Sequence, residues 1–250
     1  MMKQYTAFIV IFFAAFTSLS HGQDTGAKTG SFVIKSTIFD VMGEETANAY
    51  AAVLDATDEI EWEVFVPQSY DPANPAGVMV YVSPQNSINI PSGWLDVMED
   101  QNLIWVAARL SGNKINPAKR ITFAVMGPPL IQSLYQIDLN RIYISGLSGG
   151  GRIASMVAAD YPSIFKGAVY NCGVNFWEQA SPEQLELIKQ NRFVFITGSN
   201  DFNLNDTKQV YSKYKKAGVE KIKLTVIRNM GHENPKASRF KRAITFLDNP

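Results

Sequence analysis

The sequence predicts an α/β fold: a mostly parallel central sheet with antiparallel first strands and helices on both faces. Three observations lead there. Short, nearly continuous apolar runs recur at 77–82, 103–108, 141–145, 167–170, 193–197 and 222–227. Most are bounded by Gly, Pro, Asn or Ser, and such runs suit strands buried on both faces of a parallel sheet. Segments with helical spacing separate the later runs, the alternation that crossover helices produce. Before residue 77 the pattern differs: 61–66 alternates apolar and charged residues, as a half-exposed strand does.

Taken in order, residues 23–30 read as a loose start, and 31–39 and 48–55 carry strand character. Residues 67–76, rich in Pro, Asn and Asp, read as a loop. Trp94 belongs to a helix start and to the core. Helical spacing covers 153–160, 181–190, 207–217 and 238–247. The second of these has Ser181 as N-cap, Pro182 at the first helical position and Gln184 closing a capping box. No boundary divides 23–250, which reads as one domain, and no insertion between the late strands is long enough for a large lid.

Hydrophobic residues make up 46% of the 250 and charged ones 18%, enough apolar content for a sizeable core. Residues 1–22 read as a signal peptide, with Lys3 before an apolar stretch at 6–16 and a cleavage position after Gly22. The protein is therefore expected to be exported, periplasmic or extracellular, without a stable membrane anchor. Cleavage leaves 22 basic residues against 23 acidic, a net charge of −1, and His232 as the remaining histidine. Near-zero charge gives no footprint for nucleic acid or an anionic membrane. The single cysteine, Cys172, forms no internal disulfide and reads as a small buried hydrophobe. Metal sites built from Cys and His clusters are excluded by count.

Gly146-Leu147-Ser148-Gly149-Gly150 lies between the apolar run at 141–145 and a helix beginning near Arg152. This is the strand–turn–helix setting of a nucleophile elbow. Side chains two positions either side of the serine would collide, so Gly146 and Gly150 supply the space. The amide of Gly149 can face an oxyanion, and the helix N-terminus favours that charge. Serine needs an adjacent base. His232 sits in a loop after the last apolar run, and loops at the carboxyl ends of parallel strands form the active face of open α/β sheets. Asp201 follows the run at 193–197 and is the candidate to orient the imidazole, with Asp206 as the fallback. The order Ser, Asp, His is the one this fold uses. Glu233 is set aside, because the orienting carboxylate must face the ring from another loop. A second oxyanion donor is expected from the turn at 83–87, where Pro84 has no N–H and Gln85 is the candidate.

Residues 93–250 resemble the polyhydroxybutyrate depolymerase-like and feruloyl esterase-like branch of the secreted α/β-hydrolases. The resembling pieces are GWLDVMEDQNLIWVAA, IDLNRIYISGLSGGGRIASMVAADYPSIFKGAV, ITGSNDFN and NMGHENP, with Tyr161-Pro162 trailing the elbow. The resemblance implies a serine esterase without a cofactor, acting on small-molecule or polymeric esters through Ser148, Asp201 and His232. The chain departs from that branch at Ser83-Pro84, where the branch often has His-Gly. Trp177, after the run at 167–170, is a candidate wall of the substrate pocket. Arg109 is expected in a surface ion pair. Two other readings remain open: a serine peptidase with the same triad, and an inactive exported binding protein on a hydrolase scaffold. The oligomeric state is not legible in the sequence.

Overall fold

In the computed structural model, residues 27–177 and 179–249 are described. Residues 1–22, expected to be a signal peptide, lie outside them. Among the described residues eight strands form one sheet in the order β1-β2-β4-β3-β5-β6-β7-β8. β1 (Gly30–Ser36), β2 (Ile60–Val66) and β4 (Leu103–Ala108) meet antiparallel, β1 on β2 and β2 on β4. From β3 (Ala76–Val82) onward every pairing is parallel, through β5 (Ile137–Leu147), β6 (Gly167–Asn171), β7 (Arg192–Gly198) and β8 (Ile222–Ile227). This is the expected α/β-hydrolase fold. Among the described residues no helix is long and apolar enough to cross a membrane.

Alternation along the strands divides the core into two layers. Val78, Val80 and Val82 of β3 and Phe193 and Phe195 of β7 point to one face. That face is covered by α1 (Ile38–Ala49), α3 (Pro117–Gln132), α4 (Gly149–Asp160), α5 (Pro182–Gln190) and α6 (Leu204–Lys216). Met79, Tyr81, Val194 and Ile196 point to the other, beneath α2 (Trp94–Asp100) and α7 (Ala237–Asp248). Trp94 is fully buried there, stacked on Phe240 with ring centroids 3.5 Å apart.

The capping box of α5 forms as expected. Three expectations are corrected. Residues 48–55 are not a strand; they finish α1 and turn out of it. Thr37 caps that helix by accepting from Asp40 N, so the strand before it stops at Ser36. The elbow helix begins at Gly149, with Ser148 as its N-cap residue, rather than near Arg152. The helix α3 was not anticipated. It starts on an Asn116 cap and a first-turn proline, and carries Pro128 and Pro129 inside it, residues that normally argue against a helix.

Candidate active site

The parallel strands end along one edge of the sheet, and the candidate residues lie in the loops leaving that edge. β5 runs directly into α4 through Ser148, whose φ of 56° and ψ of −120° is a strained backbone for any residue with a Cβ. Two close approaches hold the bend. A Cβ on Gly146 would strike the Gly150 carbonyl, and one on Gly150 would lie on the Val82 carbonyl oxygen. The strain is therefore fixed by backbone packing between β3, β5 and α4. Ser148 N donates to Asn171 O at 2.8 Å, which keeps the elbow in line with β6. The Ser148 hydroxyl makes no capping bond to its helix. Gly149, at the first helical position, presents one of the N–H groups that a helix N-terminus leaves free. The Asn113 side chain packs against its Cα.

Asp201 and His232 meet as the sequence anticipates. His232 Nδ1 lies 2.8 Å from Asp201 Oδ1, with the aspartate side chain fully buried and the imidazole about a quarter exposed. Burial alone would raise the Asp201 carboxyl. Hydrogen bonds from Asn203 N, Thr197 Oγ1, His232 and Cys172 outweigh it and hold the carboxyl below its ordinary value. The fallback, Asp206, is exposed in the first turn of α6 and is not the partner of His232.

Cys172 is buried, as expected, but it also ties the two halves of the site together. It has a positive φ of 53°, and its thiol donates to Glu233 O at 3.3 Å, in the histidine loop. The next residue, Gly173, lies against the Ser148 carbonyl. The serine elbow and the histidine loop thus sit on either side of one residue. In this arrangement the imidazole bonds Asp201 through Nδ1, and the Ser148–His232 hydrogen bond is not formed. Such bonds are often loose before substrate arrives. Cys172 Sγ, Asp201 and His232 also place three possible metal-ligand atoms within 4.8 Å, a convergence that the residue count did not anticipate. Those atoms serve one another: the thiol is pushed up to about 12, chiefly by burial, and the carboxylate and imidazole are hydrogen-bonded together.

Several residues that the sequence did not single out complete the site. Asn203, itself buried, donates from Nδ2 to Cys172 O at 2.7 Å, accepts from Arg152 of α4 at 3.2 Å, and donates its N–H to Asp201 at 3.0 Å. The last bond has the form of an Asx-turn, the local signal that could have found it. Phe202 is 76% exposed, yet its ring stacks on His232 with centroids 4.0 Å apart. The histidine loop is pinned from beneath: Trp94 Nε1 donates to Pro235 O at 3.0 Å and Asn234 Nδ2 to Tyr81 OH at 3.0 Å. Buried Arg120 donates to Ser83 O at 3.0 Å and Ser111 O at 2.7 Å, bracing the turn after β3. With no carboxylate beside it, burial lowers that guanidinium to about 10.

The remaining candidates are placed less favourably. Gln85 N donates to Ser83 Oγ at 3.0 Å, so its amide is engaged within its own turn. Trp177 stacks on Phe176 at 4.2 Å and meets Tyr214 of α6 edge-on at 4.5 Å, in an aromatic cluster against the core. It is Phe202 that touches His232. Arg109 forms the expected ion pairs, to Glu63 at 2.9 Å and Glu61 at 3.0 Å.

Sheet order and elbow define an α/β-hydrolase architecture, and comparison with known proteins agrees. A family model described as the prolyl oligopeptidase family matches residues 128–181, the span that carries the elbow. No curated protein matches the sequence. Among solved structures the chain is similar to a ferulic acid esterase, with a TM-score of 0.64 and 18% identity, over 87% of this chain and 98% of that one. It is similar to an S-formylglutathione hydrolase from Staphylococcus aureus, with a TM-score of 0.61 and 12% identity, over 89% and 99%. A putative dipeptidyl aminopeptidase IV from Bacteroides ovatus gives a TM-score of 0.58 and 20% identity over 87% of this chain, which spans only 35% of that longer one. At these identities the likeness is one of fold.

Proposed function

We propose that this chain is an exported serine hydrolase that cleaves carboxylic esters through Ser148, His232 and Asp201. One observation carries the reading. A serine held in a strained elbow at a helix N-terminus shares a sheet edge with an imidazole already paired to a buried carboxylate. His232 Nε2 takes the hydroxyl proton as Ser148 Oγ attacks the ester carbonyl. Asp201, bonded to Nδ1, keeps the tautomer in which Nε2 is the free base and then stabilises the imidazolium. The Gly149 N–H holds the oxyanion, joined by Gln85 N–H once Ser83 Oγ turns aside. The imidazolium protonates the departing alcohol, and the acyl group stays on Ser148. A water deprotonated by His232 then attacks that acyl group, releases the acid and restores the serine. No step requires a cofactor. Export rests on the signal-peptide pattern at 1–22, and residues 23–250 form the single working domain.

The ester reading is supported by the similarity to a ferulic acid esterase over nearly the whole of both chains. The match to the prolyl oligopeptidase model across the elbow favours a peptidase as the second reading. Initial rates on p-nitrophenyl acetate, butyrate and ferulate and on 3-hydroxybutyrate oligomers, set against aminoacyl-p-nitroanilides, separate the two. The proposal expects turnover on one or more esters at least a hundredfold above any anilide, abolished in Ser148→Ala. Faster anilide cleavage would move the assignment to a peptidase, and esters hydrolysed equally by Ser148→Ala would remove it altogether.

A further inference from the structure

Charge is not spread evenly along this neutral chain. Residues 221–242 hold seven lysines and arginines against one acid, Glu233. Part of that excess converges on one cavity of about 90 Å³ between β8 and α7, on the face of the sheet that α7 covers. Its floor is two rungs of the β7–β8 ladder, Val194 opposite Lys223 and Ile196 opposite Thr225. Residues two apart on a strand share a face, so Lys223 and Thr225 both line the space. Its wall is α7, from which Arg239 and Arg242, three residues apart and so on one helix face, line the same space.

The cavity has the character of a receptor for an anion. Among the described residues no acidic side chain lines it. Lys223, Arg239 and Arg242 are exposed, and among the described residues none of them forms a salt bridge. Lys223 Nζ has a different contact, 5.9 Å from the centroid of the Phe246 ring. The helix itself is charged against its dipole. The first turn of α7 has no acid, its N-cap is Lys236 without a side-chain capping bond, and Arg239 sits just inside. Cations at a helix N-terminus are unfavourable, and an anion held by Arg239 would neutralise one of them. A local arrangement that breaks a rule of stability in several ways at once marks a functional position. Two guanidiniums, an ammonium and a hydroxyl around a space of this size suit a tetrahedral oxyanion, with Arg supplying the fork geometry for its oxygens.

We infer that the cavity between β8 and α7 is a binding site for a phosphate or sulfate group, held by Arg239, Arg242 and Lys223. The site is separate from the proposed catalytic residues, but β8 and α7 flank the loop that carries His232. An occupant joining Lys223 to the two arginines fastens the two stems of that loop together. The group is either a free ion or an ester group on a polyanionic polymer, and the chemistry of recognition is the same for both.

Thermal unfolding and titration calorimetry of the whole chain test this with inorganic phosphate replacing chloride at constant ionic strength and pH. A second arm uses dextran sulfate, with uncharged dextran as its control. The expected result is a saturable rise in melting temperature in at least one anion arm. In Arg239→Gln/Arg242→Gln that arm should weaken at least about tenfold, since charge-assisted hydrogen bonds are lost. Lys213→Gln/Lys215→Gln, two exposed lysines of α6 on the other face of the sheet, should titrate as wild type. Saturation by phosphate identifies a free ion as the ligand, and saturation by dextran sulfate alone identifies a polymer-borne group. If the arginine variant does not fold, Lys223→Gln on the facing strand serves in its place. No saturable response to either anion, or an equal response in the α6 and α7 variants, would overturn the site. Either result leaves ester hydrolysis untouched, so the two proposals fail independently.

Discussion

Asn203→Ala removes the side chain that joins three elements at the site. Two bonds disappear, the one to Cys172 O at 2.7 Å and the one from Arg152 at 3.2 Å. Each is worth about 1 kcal/mol, and a buried carbonyl deprived of its donor adds about 1–3 kcal/mol, so the variant should lose roughly 3–5 kcal/mol. In a domain of this size each kcal/mol moves the melting temperature by about 2–4 °C, giving a drop of roughly 6–20 °C. The backbone N–H of residue 203 and Thr197 Oγ1 still hold the Asp201 carboxylate. The variant should therefore fold with its acid in place but in a looser loop. Small displacements of that kind cost about ten- to a hundredfold in turnover, with KM little changed because no substrate contact is lost. Circular-dichroism melts and initial rates on the best p-nitrophenyl ester measure both effects. A variant that melts within about a degree of wild type at unchanged kcat would show that Asn203 does not connect the elbow to the acid.

Three further outcomes follow from the same geometry. Gly150→Ala puts a methyl on the Val82 carbonyl and forces α4 away from β3; a cost of about 1–3 kcal/mol or more and loss of hydrolysis are expected, checked by urea midpoints and rates, whereas Gly218→Ala on the surface turn should leave the rates intact. Phe202→Ala removes an exposed ring stacked on His232, so stability should change by no more than about 1.5 kcal/mol while kcat falls and Phe202→Tyr restores it. The Asp201 carboxyl is held below its ordinary value when folded, so its contribution to stability is fully present above the unfolded value of about 3.9 and is lost as pH falls through the folded one. The stability gap between wild type and Asp201→Asn, read from urea midpoints at pH 7, 5 and 3, should accordingly be widest at pH 7 and narrow at pH 3.

Much of this was legible because the strongest signals are local. Strands buried on both faces read as continuous apolar runs, and all six runs from residue 77 onward became strands. A glycine-flanked serine between strand and helix states its own conformation, and the order of Ser148, Asp201 and His232 along the chain anticipated which carboxylate meets the imidazole. What escaped depends on contacts that spacing does not encode. The helix α3 tolerates Pro128 and Pro129 because burial between sheet and neighbouring helices outweighs the lost backbone bonds. Residues 48–55, short and mixed in polarity, follow the helix capped by Thr37 rather than their own strand character. Asn203, Arg120 and Cys172 work through carbonyls 9 to 61 positions away in sequence, a relation that only folding creates. The engagement of Gln85 by Ser83 and the packing of Trp177 on Tyr214 belong to the same kind.

The measurement closest to the central claim is covalent. Intact-mass spectrometry after treatment with a fluorophosphonate should show one adduct per chain, mapped by peptide sequencing to Ser148. Ser148→Ala and His232→Ala, both melting like wild type, should show none. An adduct that persists in folded Ser148→Ala, or wild-type protein that stays unmodified through prolonged exposure, would contradict an activated serine at the elbow.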